Sequence, residues 1–234
     1  MMLKNAEAVV GRGRAAVGFS LILLFGAPAC TRSATDPAGA TSAKQPVSQP
    51  PTQSPRPEPA DPTLNDELVG TMMPEWTAEE WLNSPPLTVE GLRGRVVLVR
   101  WFTGTACPHC SASAPSLSAF HHDYASKGLT VVGMYHHKEP VPLAPGEVAG
   151  FAKTYGFGFP VALDTDWKTL KAWWLEGHER SFTSVSFLLD RQGRVRGIHP
   201  GGRYVAGDAA YAAMKSGIEK LLAEPAPAPK SAAL

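Results

Sequence analysis

Apolar runs alternate with polar, turn-forming stretches along this chain, and their lengths separate strands from helices. Val96-Val97-Leu98-Val99-Arg100-Trp101-Phe102 is almost continuously apolar, as expected of a strand covered on both faces. Leu129-Thr130-Val131-Val132-Gly133-Met134-Tyr135 has the same pattern, and Phe159-Pro160-Val161-Ala162-Leu163 predicts a brief third strand. Residues 107 to roughly 127 read as a helix, 147–155 as a short one and 166–175 as another, while 141–146, with Pro142 and Pro145, read as loop. The stretches 184–190 and 194–199 flank the turn Arg191-Gln192-Gly193, which predicts a hairpin. A last helix over 207–223 places Ala210, Met214, Ile218 and Leu221 on one face. Strand–helix–strand followed by helix, hairpin and helix predicts an α/β sandwich around a mixed sheet.

The ends of the chain have a different composition. Lys4, Arg12 and Arg14 precede an apolar run over 15–29. That run is shorter than the roughly 20 apolar residues a membrane span needs, so 1–30 reads as a secretory signal. Small residues Gly26, Ala27 and Ala29 before Cys30 resemble a bacterial lipoprotein cleavage site, although Ala27 stands where Leu is usual. That resemblance implies lipidation of Cys30; the alternative is an ordinary signal peptide. Residues 31–62 are built from Pro, Ser, Thr, Ala and Gln. Such a segment buries too little to offset its ordering entropy, and reads as a disordered, Pro-rich spacer. A similar tail is expected over 224–234, which leaves 63–223 as one domain. Formal net charge is +1, with no basic stripe, so nucleic acid is not an expected partner.

The candidate chemistry lies at the start of the helix that follows the 96–102 strand. Cys107-Pro108-His109-Cys110 sits where a strand ends in a short turn, an arrangement that presents a redox-active dithiol. Thiolate is the attacking species, and Cys107 at a helix N-terminus is favoured as an anion by free N–H groups and the macrodipole. Pro108 suits the first helical position, and His109 places an imidazole nearby. Cys110, one turn on, is the expected resolving thiol. A structural zinc site is disfavoured, because two cysteines supply half of the usual four ligands and no second pair exists.

The 94–99 stretch leading into Cys107-Pro108-His109-Cys110, with Pro115 eight residues after Cys107, resembles the thioredoxin-like superfamily. Phe187-Leu188-Leu189-Asp190-Arg191-Gln192-Gly193 is similar to its hairpin. The insertion between Tyr135 and Leu163, together with Trp76, Trp81 and 87–94, resembles the TlpA-type branch of exported reductases. The resemblance implies a thioredoxin-like three-layer sandwich, a mixed central sheet flanked by helices. It implies an enzyme, a thiol–disulfide oxidoreductase, with Cys107 as nucleophile, Cys110 resolving, and Pro108 and His109 tuning. No cofactor or metal is expected beyond the redox-active Cys107–Cys110 pair. Expected partners are protein disulfide or dithiol substrates and a membrane electron donor, met at the periplasmic side of a bacterial envelope through a lipid anchor. Thr183 and Ser184 are expected to present backbone to substrate, and Trp101 to line the dithiol site.

Two positions depart from the family pattern, and one dipeptide bears on the direction of the reaction. Ser184 occupies the usual cis-proline position, so the tight cis geometry is not expected. Arg100 stands where relatives bury an acid behind the cysteines, and guanidinium cannot accept a proton; it is expected at a rim, either supporting thiolates or simply snorkelling. The Pro-His pair resembles DsbA-type oxidants, so the direction of electron flow is open. Two alternatives remain. A peroxiredoxin-type thiol peroxidase resembles a pattern with Thr or Ser three residues before the reactive cysteine, where Gly104 stands here. A Cu(I)-binding module would use both thiolates with His136, His137, His178 or His199.

Overall fold

The computed structural model describes residues 66–226 apart from Glu79 and Ser181. These residues fall within one contact unit, Ser54–Leu234; the other unit, Met1–Gln53, lies outside the described residues. The expected signal over 1–30, Cys30 and the 31–62 spacer therefore also lie outside them.

Ten elements build the domain. They are β1 (Trp81–Leu82), β2 (Val96–Phe102), α1 (Pro108–Tyr124), β3 (Leu129–Tyr135), α2 (Glu147–Tyr155), β4 (Val161–Leu163), α3 (Lys168–Leu170), β5 (Ser186–Leu189), β6 (Val195–His199) and α4 (Ala209–Ala223). A single 3-10 turn, Ala125–Lys127, closes α1, and a π turn, Lys171–Leu175, continues α3. The sheet order is β1-β4-β3-β2-β5-β6. Strands β2, β3 and β4 run parallel, and β1, β5 and β6 are antiparallel to their neighbours. The thioredoxin-like mixed sheet flanked by helices is thus what forms.

Both faces of β2 are covered, so its residues divide by parity. Val96, Leu98 and Phe102 pack with residues of α1, α2 and α4. Val97, Val99 and Trp101 pack with Met73, Trp76, Val89, Leu92, Trp173 and Trp174 from the N-terminal segment and the turn after α3. Trp101 is fully buried on that second face, where its Nε1 donates to Asp164 Oδ2 at 3.2 Å and its ring meets Trp173 and Phe187 edge-on. Consecutive residues of a strand point to opposite faces, so Trp101 and Phe102 cannot both line the dithiol side. The expectation that Trp101 does so is corrected.

The hairpin turn is held by Asp190, whose Oδ1 accepts from the backbone N of Gln192 and Arg194. Gly193 adopts φ 76°, the left-handed conformation that suits glycine. From the same turn, Arg191 donates to the carbonyls of Leu221, Leu222 and Glu224, capping the C-terminus of α4 with a side chain. Arg196 pairs with Glu224 at 2.7 Å. Glu224, expected to open the disordered tail, is therefore clasped to the hairpin.

Candidate active site

Strand β2 ends at Phe102, and the turn over 103–106 delivers Cys107 to α1. Gly104 is needed in this turn by close approach, since a Cβ there would meet the Phe151 ring at 3.0 Å. Its carbonyl accepts from Cys107 N at 3.0 Å and from Tyr155 Oη at 2.9 Å. Cys107 is the N-cap of α1, and its Sγ accepts from Cys110 N at 3.2 Å. Pro108 occupies the first turn as expected, and no acidic residue stands there to compete with the sulfur for the helix field. Cys107 and Cys110 form a disulfide with their Cα atoms 5.3 Å apart. Cys107 is half-buried, whereas Cys110 is 3% exposed. The difference in access makes Cys107 the sulfur a substrate can reach. Pro115 lies inside the helix without breaking it.

Two residues beside the dithiol turn, Thr103 and Phe182, were not singled out by sequence, and His136, considered there only as a copper ligand, bonds to the neighbouring 182–184 loop. Thr103 is buried with its Oγ1 4.0 Å from Cys110 Sγ. Phe182 is 48% exposed, its ring edge-on to His109 with centroids 6.2 Å apart, which brings the 182–184 loop to the dithiol turn. That loop is anchored by Trp174 Nε1, which donates to the Phe182 carbonyl at 2.7 Å, and by Trp101 N, which donates to Val185 O. His136 is fully buried, with its Nε2 2.9 Å from Thr183 Oγ1. Burial is the main cause holding its pKa down to about 3, and Lys138 pushes the same way. Thr183 is partly exposed and Ser184 buried, and no cis peptide bond occurs among the described residues.

Arg100 overturns both placements expected of it. It is 1% exposed, neither at a rim nor snorkelling. Its Nη1 donates to Ser186 Oγ at 3.2 Å, its Nη2 to Gly202 O at 2.7 Å, and its guanidinium lies over the Tyr204 ring.

The histidines considered as a third copper ligand are dispersed. His137 meets Tyr135 Oη and the Val141 carbonyl, His178 pairs with Glu67, and His199 packs against Tyr204. Among the described residues, no three His, Cys, Asp or Glu side chains come together to hold a metal ion. None of their helices is long and apolar enough to cross a membrane.

Comparison with known proteins agrees with this geometry. The Redoxin family profile matches residues 68–213. Protein DipZ of Mycobacterium bovis is 32% identical over 121 residues, covering 50% of this chain and 16% of DipZ. Thiol-disulfide oxidoreductase ResA of Bacillus subtilis is 28% identical over 126 residues, covering 54% of this chain and 64% of ResA. The chain thus spans less than two thirds of either relative. Among solved structures, a thiol-disulfide isomerase from Corynebacterium glutamicum superposes with a TM-score of 0.53 at 28% identity, covering 65% of this chain and 98% of that one.

Proposed function

The chain belongs to the redoxin family, and from that premise we propose that it is a thiol–disulfide oxidoreductase acting on protein substrates through Cys107 and Cys110. The observation that carries this reading is the unequal access of two bonded sulfurs, a half-buried Cys107 capping α1 and a buried Cys110 behind it.

In the reducing direction, the Cys107 thiolate attacks one sulfur of a substrate disulfide. A mixed disulfide forms and the other substrate sulfur leaves as a thiolate. Cys110 then loses its proton, attacks Cys107 Sγ and releases the second substrate sulfur, closing the Cys107–Cys110 disulfide. Run backwards, the same steps oxidise a substrate dithiol. Pro108 fixes the turn, His109 and Phe182 meet beside it, and the backbone at Thr183 and Ser184 is the part of the 182–184 loop offered to an extended substrate strand. No further cofactor is required, because the cysteine pair itself carries the electrons. The reading also places the enzyme outside the cytoplasm, at the periplasmic side of a bacterial envelope. There it is tethered through a lipidated Cys30 and the 31–62 spacer, and exchanges electrons with a membrane donor. A signal-like segment over 1–30 and the likeness of the 135–163 insertion to exported reductases support this.

The test is turnover of a disulfide-bonded protein in the presence of dithiothreitol. Cys107→Ser abolishes it, and Cys110→Ser accumulates a mixed disulfide with the substrate. A Cys107→Ser variant that still turned over the substrate would overturn the assignment. Labelling with radioactive palmitate in cells, lost in Cys30→Ala, tests the anchor.

A further inference from the structure

Arg100 is the only Lys or Arg among the described residues that is buried. No described carboxylate lies within 4.0 Å of it. Its partners are a hydroxyl, a carbonyl and an aromatic ring, and its Nε has none. Guanidinium keeps its proton in proteins, so a full positive charge stands in a low-dielectric interior without a counter-ion, a costly arrangement.

The surrounding titratable groups do not supply that counter-ion. On β6, His199 is held down to about 3 by burial and then by Arg100 itself. Tyr204, in the loop after β6, has its phenol pushed up by burial, which keeps it neutral. His136, beyond the end of β3, is also neutral at ordinary pH. Asp208 acts on His199, but its two oxygens cap Tyr211 N and Val205 N at the start of α4.

The dithiol helix packs on the face of β2 that carries the charge. Arg100 shares its face of β2 with Leu98 and Phe102, which pack in the cluster containing Cys110 and Ala114. Tyr204, beneath the guanidinium, is tied to α1 twice: its N donates to Ser113 Oγ at 3.1 Å, and its carbonyl accepts from Ser116 Oγ at 3.1 Å. Ser113 is one turn on from Cys110. The cation therefore lies on the sheet face that the dithiol helix covers, linked through Tyr204 to its second and third turns.

We propose that Arg100 is the buried counter-charge for the thiolate created when the Cys107–Cys110 disulfide is reduced, and that it thereby raises the reduction potential of the pair. This rests on the oxidoreductase reading above. Two electrons and one proton convert the neutral disulfide into one thiolate and one thiol. The electrons come from an external dithiol, which closes its own disulfide. Arg100 is indifferent to the neutral form and attracts the anionic one, so it favours reduction and lowers the pH at which the thiolate forms. It acts through its field, without touching substrate.

The experiment equilibrates the full chain in dithiothreitol or glutathione buffers and follows thiolate absorbance near 240 nm against pH. Arg100→Gln is expected to shift the equilibrium about tenfold toward the disulfide, about 30 mV more negative, and to raise the midpoint pH of thiolate formation. Arg100→Lys, which keeps the charge, stays within about threefold of the wild type. Ser186→Asp places a permanent carboxylate beside Arg100 and is expected to move the potential in the same direction as Arg100→Gln; it serves where the glutamine variant does not fold. Unchanged potential and midpoint in the charge-cancelling variants, with a reversible wild-type pair, overturn the proposal alone. A wild-type pair that cannot be reversibly reduced overturns the oxidoreductase reading and the proposal with it.

Discussion

His136 Nε2 and Thr183 Oγ1 lie 2.9 Å apart, joining the end of β3 to the loop that flanks the dithiol. One hydrogen bond of this kind is worth about 1 kcal/mol net, and more when its loss strands a buried group. Thr183→Val is therefore expected to lower kcat/KM for a protein disulfide roughly fivefold to tenfold. Reduction of a small disulfide such as dithiobis-nitrobenzoate, which needs no extended backbone contact, is expected to change less than twofold. Equal losses on both substrates would remove the loop-positioning role.

Thr103 sets up a different kinetic signature. Its hydroxyl approaches Cys110 and not Cys107, so it acts on the resolving step. Thr103→Val leaves the rate of mixed-disulfide formation within about twofold and lengthens the lifetime of the mixed disulfide severalfold. Quenched-flow trapping of the intermediate separates the two rates.

Acid sensitivity follows from the two buried histidines. Both His136 and His199 are held down to about 3, chiefly by burial. The ordinary histidine value near 6.5 applies in the unfolded chain, so between those pH values the unfolded state binds more protons. Their contribution is complete above about pH 6.5 and is lost as pH falls toward the folded value. At pH 5 each histidine costs about 2 kcal/mol relative to pH 7. Urea unfolding at the two pH values measures this, and His199→Gln should lose that much less than the wild type.

Asp164 is buried and accepts from Trp101 Nε1, Thr169 N and Leu170 N. Burial raises its carboxyl pKa, while these donors pull it down. Asp164→Ala leaves three buried donors unmatched and is expected to destabilise the domain by about 3 kcal/mol, with the dithiol potential unchanged. Chemical denaturation and redox equilibration check the two halves of that statement.

The strands over 96–102 and 129–135, the 147–155 helix and the hairpin were legible because long apolar runs and a Gly-containing turn leave few alternatives. Strand β1 was not: two residues, Trp81 and Leu82, are too short for any periodicity, and only pairing with β4 defines them. The dithiol was read from its spacing and its place between an apolar strand and a helix start. Its surroundings were harder, because parity cannot be seen in a strand buried on both sides; Trp101 was assigned to the face that Phe102 occupies. Arg100 was misplaced for a related reason. A charge argues for the surface until the neutral partners that tolerate it, here Ser186, the Gly202 carbonyl and Tyr204, are brought from distant sequence by the fold.

The Arg191 clasp decides how the end of the chain tolerates alteration. Because the last carbonyls of α4 accept from a side chain of the hairpin turn, and Glu224 pairs with Arg196, cutting the chain before 221 would unfasten two elements at once. A purification tag appended after residue 234 leaves both fastenings intact. For the same reason, a swap of the hairpin turn for a shorter commercial-style Asn-Gly turn would loosen a helix with which it shares no sequence.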